Sequence, residues 1–288
     1  MMLPDAAELS VATQCRLLGV SVSGYHKYVR QGLRTPEATE PELTEQVQQV
    51  FCKNRKAYGS RRMRAALKQQ GHTVGRHKLR RVMRELGLIC RPKRKRAPQT
   101  TDSKHNLAVA ENRLQQDFSA SRPNEAWVTD ITYLPCLEGW LYLVAILDLF
   151  SRKVVGYAMS ENIDRHLVLQ ALDMALLKRG PVPGLIHHSD RGSQFACHDY
   201  QQALSRQGIV CSMSRKGNCY DNAVAESFNK TIKIELIECM PRTDRATLRT
   251  RVFEYIEGFY NRRRLHSFLN YVSPEQFENN YATQPMAA

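Results

Sequence analysis

Three acidic residues stand where a carboxylate needs a reason. Asp130 lies inside the aromatic and β-branched run Trp127-Val128-Thr129-Asp130-Ile131-Thr132-Tyr133-Leu134, where an ionised group is costly unless it is paired or metal-bound. Asp190 follows the apolar run Leu185-Ile186-His187-His188 and precedes Arg191-Gly192-Ser193, which permits a sharp turn. Glu226 falls near the start of an amphipathic stretch entered through Asn218, Asp221 and Asn222. Glu226, Asn229, Lys230 and Lys233 share one helical face, beside an apolar stripe of Ala225, Phe228, Ile232 and Leu236. Such hard oxygen ligands suit Mg²⁺, or Mn²⁺ in its place, and two ions about 3.5–4 Å apart clamp the attacking and leaving oxygens of a phosphoryl transfer. Each acid alone has a plain structural explanation: a satisfied polar group on an edge strand, a turn residue, a helix-start acid favoured by the dipole. Only the three together point to metal-dependent chemistry.

The elements that must position them are readable from the periodicity. Strands are expected over Trp127–Leu134, Trp140–Leu147, Lys153–Met159, Leu185–His188 and Ile209–Met213. Helices are expected over Arg165–Leu177, His198–Arg206 and Asn222–Glu238, the last capped by Asp221 or Asn222. Short joins at Pro135–Gly139 and Asp148–Arg152 suit antiparallel hairpins. The order β-β-β-α-β-α-β-α predicts an α/β fold with a mixed five-stranded sheet flanked by helices. Asp148 reads as a turn residue and a fourth candidate acid. His187 and His188 read as structural, and Asn218, Tyr220 and Arg262 to Arg264 as further candidates for substrate contact.

The net charge of +14 is not evenly placed. Residues 1–100 hold 21 Lys/Arg against 7 Asp/Glu, while residues 101–288 hold 21 of each. Excess positive charge confined to one region suggests a polyanionic partner. Residues 1–34 read as a helix-turn-helix-like segment and residues 40–90 as a helical DNA-binding domain carrying Arg61, Arg62, Arg76, Arg80 and Arg81. Residues 91–120 form a basic linker with Lys93, Arg94, Lys95 and Arg96, residues 121–240 a catalytic core, and residues 241–288 a C-terminal helix and tail. No apolar run is long enough to span a membrane, and no secretory leader is visible. The eight cysteines form no C-x-x-C pair, which disfavours a zinc site of that kind and suits reduced thiols in a cytoplasm.

The segments around the three acids, with His188-Ser189-Asp190-Arg191-Gly192-Ser193-Gln194-Phe195 and Asn222-Ala223-Val224-Ala225-Glu226-Ser227-Phe228-Asn229-Lys230 among them, resemble the catalytic core of insertion-sequence transposases related to retroviral integrases. The likeness is to the second-frame (OrfB) product of the insertion sequence three family. Asp190 and Glu226 are separated by 35 residues, the hallmark spacing of that family's Asp-Asp-Glu triad, and Asp130 and Asp190 by 59. Asp148 to Tyr157, Tyr260 to His266 and Ser273-Pro274-Glu275 also resemble it.

The resemblance implies a ribonuclease-H-like core with Asp130, Asp190 and Glu226 as catalytic metal ligands for two Mg²⁺ or Mn²⁺ ions. It implies cleavage at terminal inverted repeats and transfer of the freed 3′-hydroxyl into target DNA, without a covalent protein intermediate. It implies contact with double-stranded DNA by Lys233, and Lys230 and Asn222 join it as candidates beside the active helix. Strand exchange between two ends implies a homo-oligomer on DNA, in a bacterial cytoplasm at the nucleoid. Active members are generally frameshift fusions with an upstream helix-turn-helix and a zipper-like segment. No heptad run appears here, so a partial transposase needing the upstream-frame (OrfA) product is an alternative. A non-catalytic DNA-binding regulator, and a nuclease of the same fold that cuts without joining, are the others.

Overall fold

A computed structural model describes residues 10–31, 41–90 and 107–283 of the chain. The basic residues Lys93, Arg94, Lys95 and Arg96 lie outside the described residues. A five-stranded sheet, in the order β3-β2-β1-β4-β5, is built from β1 (Ala126–Cys136), β2 (Gly139–Asp148), β3 (Val154–Ser160), β4 (Ile186–Ser189) and β5 (Val210–Met213). β1, β2 and β3 run antiparallel, and β1, β4 and β5 run parallel. The expected mixed sheet is the one found, with ends that differ by a residue or two.

Each sheet face buries a different helix because the side chains of β1 alternate. Trp127 joins Val144 and Ile146 in packing under α6 (Arg165–Arg179) and α8 (His198–Arg206). Val128 and Leu134 face the opposite way with Leu143, Ala145 and Leu147, against Ala225, Phe228 and Ile232 of α9 (Ala223–Ile232). α6 begins where Asp164 accepts the Leu167 amide at 3.0 Å, and it ends on Gly180 at φ 48°. It rests directly on β3: a Cβ on Gly156 would stand 2.3 Å from the Ala171 carbonyl oxygen. Only glycine admits that approach.

Two departures from the expected elements concern the end of the active helix and the segment after Asp190. α9 stops at Ile232 and continues as a π turn over Lys233–Ile237, closed by Glu238 N–H donating to the Lys233 carbonyl at 2.9 Å. Within this turn Glu235 is buried, at 5% exposure, three residues past the buried Ile232. A short helix, α7 (Ser193–Ala196), follows Asp190 where only a turn was expected.

Before the sheet come α1 (Val11–Leu17), α2 (Val22–Gln31), α3 (Pro41–Lys53), α4 (Ser60–Gln69) and α5 (Arg76–Glu85). α3 to α5 enclose a core of Val47, Val50, Phe51, Met63, Leu67, Leu79 and Val82. After the sheet, α10 (Arg245–Phe253) runs into a second π segment, Glu254–Tyr260, and α11 (Pro274–Ala282) follows. The C-terminal segment is bound into the core rather than trailing from it. Asn261 accepts from Val154 N–H at 2.9 Å and donates to its carbonyl at 3.0 Å, capping the edge strand β3. Arg179 of α6 bonds both Glu278 of α11 and Asp148, at 2.7 Å from the latter.

Glu235 is the centre of a buried network joining helical module, core and C-terminal segment. Arg264 grips it with two bonds of 2.8 and 2.7 Å, Tyr255 donates at 2.8 Å, and Arg62 of α4 stands at 3.4 Å. Beside it the hydroxyl of the buried Tyr58 accepts from Leu265 N–H at 2.8 Å. No helix among the described residues is long and apolar enough to cross a membrane.

Candidate active site

β4 pairs with β1 only through Ala126, Trp127 and Val128, with Val128 opposite His188. Asp130 and Asp190 each lie two residues further along these parallel neighbours, so both carboxylates leave the sheet at the same end. Beyond Val128 the edge of β1 turns to the start of the active helix instead: Asn222 donates its amide to the Thr129 carbonyl at 2.9 Å. That bond sets α9 beside Asp130, and Asn229, two turns into the helix, donates to the Asp130 carboxylate at 2.9 Å.

The electrostatics record the meeting of the three acids. Burial, the neighbouring Asp190 and, less strongly, Glu226 push the Asp130 carboxyl up to about 8, against the bonds from Ile131 N–H and Asn229. Each acid nonetheless has a local partner. Asp190 accepts from Gly192 N–H at 2.9 Å, and Glu226 meets Lys230 at 3.4 Å. Among the described residues no group of three His, Cys, Asp or Glu side chains stands close enough together to hold a metal ion. The acids are thus within electrostatic reach of one another without being drawn onto a common centre. Glu226 and Lys230 are both solvent-accessible, and exposed pairs of this kind are worth about 0–1 kcal/mol, so little holds Glu226 away.

The remaining candidates fall into distinct places. Lys233 lies with its ammonium 3.9 Å from the centre of the Tyr133 ring, half-buried, and burial lowers its pKa while Asp130 opposes the shift. Tyr133 in turn packs edge-on against the half-exposed Trp140, with ring centres 4.9 Å apart. Arg61, Arg76 and Arg80 are exposed on α4 and α5. Arg62 is turned inward to Glu235, and Arg81 is half-buried with Glu85 at 3.8 Å. Asn222 is 4% exposed and committed to β1, so it faces the protein. It occupies the helix start without capping it through its side chain.

His187 and His188 are both core residues. His187 bonds Tyr200 at 2.7 Å, while His188 bonds Ser212 at 2.8 Å and Ser214 at 3.1 Å. Asp148 closes a turn, accepting from Asn124 and Phe150 N–H, and pairs with Arg179 away from the triad. Asn229 was visible in the sequence only as a polar position on the Glu226 face, and nothing local marked Glu235 or Asp221 as network centres.

Comparison with known proteins identifies the family of the chain. Residues 120–219 match an integrase core domain, residues 207–274 a second integrase core model, and residues 39–96 an HTH-like domain. The chain is 44% identical over 268 residues to a 31 kDa protein of insertion element IS600 from Shigella sonnei, covering 93% of this chain and 98% of that one. It is 41% identical over 277 residues to the transposase InsF of insertion sequence IS3A from Escherichia coli K12, covering 95% of each. The HTLV-2 integrase catalytic core, solved in complex with magnesium, is similar at 18% identity and a TM-score of 0.45, covering 56% of this chain and 99% of that one.

Proposed function

The chain belongs to the insertion sequence three family of transposases, and we propose that it cuts and rejoins DNA at the ends of such an element through Asp130, Asp190 and Glu226. The observation that carries the assignment of residues is geometric: Asp130 and Asp190 each lie two residues past the paired Val128 and His188, and α9 is tied to β1 by Asn222 and to the Asp130 carboxylate by Asn229. The Asp130 carboxyl, raised chiefly by burial and further by Asp190 and Glu226, agrees with it. Strongly perturbed carboxylates that face one another are a mark of functional sites.

The donor set fits divalent cations. It offers hard oxygens within β1, just past the end of β4 and on α9, and a bound cation would offset both the burial and the neighbouring carboxylates that raise Asp130. Asp130, Asp190 and Glu226 would hold two ions, Mg²⁺ or Mn²⁺, which when bound stabilise charge on the attacking and leaving oxygens of an in-line displacement. Asn229 fixes the Asp130 carboxylate and keeps one of its oxygens engaged. Glu226 exchanges its pairing with Lys230 for the shared centre. That frees Lys230, with Lys233 one turn on, to receive DNA phosphates. Water is the nucleophile for cleavage and a DNA 3′-hydroxyl for joining, so the side chains need only position the reactants and stabilise charge.

Upstream, Arg61, Arg76 and Arg80 offer an exposed basic surface for duplex DNA, and Lys93, Arg94, Lys95 and Arg96 are proposed as further phosphate contacts from the sequence alone. Arg62 serves the interior network instead. Joining two ends requires both to be held at once, so the working form is a homo-oligomer on double-stranded DNA, assembled with the upstream-frame product in the bacterial cytoplasm. The test is a gel assay on the element's terminal inverted repeats with Mg²⁺ or Mn²⁺, with and without the upstream product. Metal-dependent nicking followed by joined products supports the reading. Binding without nicking in every combination would leave a regulator.

A further inference from the structure

We propose that Asp221 is a positioning residue for the reaction, a carboxylate latch that ties the segment entering the core to the loop carrying the catalytic helix. The idea rests on the reading of Glu226 as a metal ligand, and it goes beyond that reading by naming what holds Glu226 in place.

Asp221 has no solvent exposure, yet it is neither a helix cap nor a partner of the triad. Five donors converge on its two oxygens. Oδ1 accepts from Gln116 Nε2 at 2.8 Å and Arg215 Nη2 at 2.9 Å. Oδ2 accepts from Asn112 Nδ2 at 2.9 Å, Arg215 N–H at 2.8 Å and Arg215 Nε at 3.0 Å. A carboxylate offers about four lone-pair sites, so this one is saturated and has no capacity left to bind metal or take a proton. The Arg215 bonds hold its pKa well below the ordinary range, which keeps it an acceptor.

The donors come from separate parts of the chain. Asn112 and Gln116 lie in the segment before β1. Arg215 opens the loop after β5. The same stretch before β1 is fastened again where Arg113 N–H donates to Ser212 at 2.9 Å. Asp221 is followed directly by Asn222, whose amide holds β1 one residue before Asp130, and then by Ala223, the first residue of α9. Glu226 lies one turn further. The latch therefore sets where the active helix begins and how it is rotated.

Asp221→Asn replaces one acceptor oxygen with a donor and leaves at least two of the five donors facing it. Mg²⁺ demands near-ideal octahedral geometry, and a misplacement of about 1 Å can cost on the order of a hundredfold. Mg²⁺-supported joining by Asp221→Asn is expected to fall by about that factor, with Mn²⁺, which tolerates looser geometry, restoring a large part. Because Asp221→Asn can also impair folding, Asn112→Ala with Gln116→Ala provides a second variant. It keeps all three Arg215 bonds and is expected to show the same metal preference more mildly.

Amide hydrogen exchange over residues 215–223 of the full chain supplies a readout besides activity. Both variants should lose protection there and keep it in β1 to β3. Unchanged protection in that loop, or equal losses of joining with the two metals, overturns the latch. Asp190→Asn separates the two ideas, for it should abolish joining with either metal and leave the exchange pattern intact. Should Asp190→Asn join normally, the triad reading falls while the exchange data still decide the role of Asp221.

Discussion

The Asn229 side-chain amide donates to the Asp130 carboxylate at 2.9 Å, across 99 residues of sequence. Helix α9 and strand β1 thereby meet at the atom where the chemistry is proposed. Hydrogen bonds to charged groups are worth about 1.5–3 kcal/mol, so Asn229→Ala should slow strand joining by roughly ten- to a hundredfold. Asn229→Asp should be worse, since it sets a further negative charge against Asp130. Joining rates at matched DNA occupancy, with circular dichroism as a folding control, check both. Wild-type rates for Asn229→Ala would remove Asn229 from the site.

Glu235 is buried with Arg264 at 2.7 Å and Arg62 at 3.4 Å. Removing one partner of a buried ion pair leaves an uncompensated charge and costs about 3–5 kcal/mol. Glu235→Gln keeps the shape and should destabilise the protein by that order in urea unfolding. Because Arg62 belongs to α4, the mutation should also loosen the helical module from the core, visible as reduced amide-exchange protection in α3 to α5. A loss under about 1 kcal/mol would show that the network contributes little.

Gly156 supports the opposite sheet face. A Cβ on Gly156 would stand 2.3 Å from the Ala171 carbonyl oxygen, which leaves no room for a methyl group, and forcing volume into a packed core costs about 1–3 kcal/mol or more. Gly156→Ala should lower the melting temperature by several degrees while leaving DNA binding by the exposed arginines unchanged. A melting temperature equal to wild type would mean that α6 shifts freely.

Burial lowers the pKa of His187 to about 3 and that of His188 to about 4, from 6.5. Between pH 6.5 and about 4 the unfolded chain takes up protons at these positions and the folded one does not. Their stabilising contribution is therefore complete above pH 6.5 and is lost progressively as pH falls. Denaturant midpoints for the wild type should drop over this window, and less steeply for His188→Gln. An identical slope in the variant would place the acid sensitivity elsewhere.

What the sequence made legible was set by the range of each signal. Asp130 stood out because an acid interrupts an apolar strand, and Asp190 because a strand ends there. Both depend on the alternation of neighbouring residues, as does the sheet itself. The π turn after Ile232 was not legible, since it inserts a residue without leaving a local mark, and Glu235 stayed hidden because its partners Arg62, Tyr255 and Arg264 come from other segments. Asn222 and Asp221 both looked like helix caps, which they resemble in type. Their actual partners, Thr129 for one and Asn112, Gln116 and Arg215 for the other, come from packing between segments far apart in the chain. Arg62 and Arg61 are neighbours of one chemistry on one helix, and only the fold separates the inward from the outward one.

The central claim is that three acids act as one centre, and Glu226 is its most exposed point, since it is paired with Lys230 in the structure. The direct measurement is strand joining of a pre-cleaved element end by Glu226→Gln in Mg²⁺, with DNA affinity recorded on the same samples. The account predicts that joined product disappears while affinity stays within a few-fold of wild type. Joining at the wild-type rate would show that the metal-dependent chemistry, if present, is organised without Glu226, and the proposed centre would have to be abandoned.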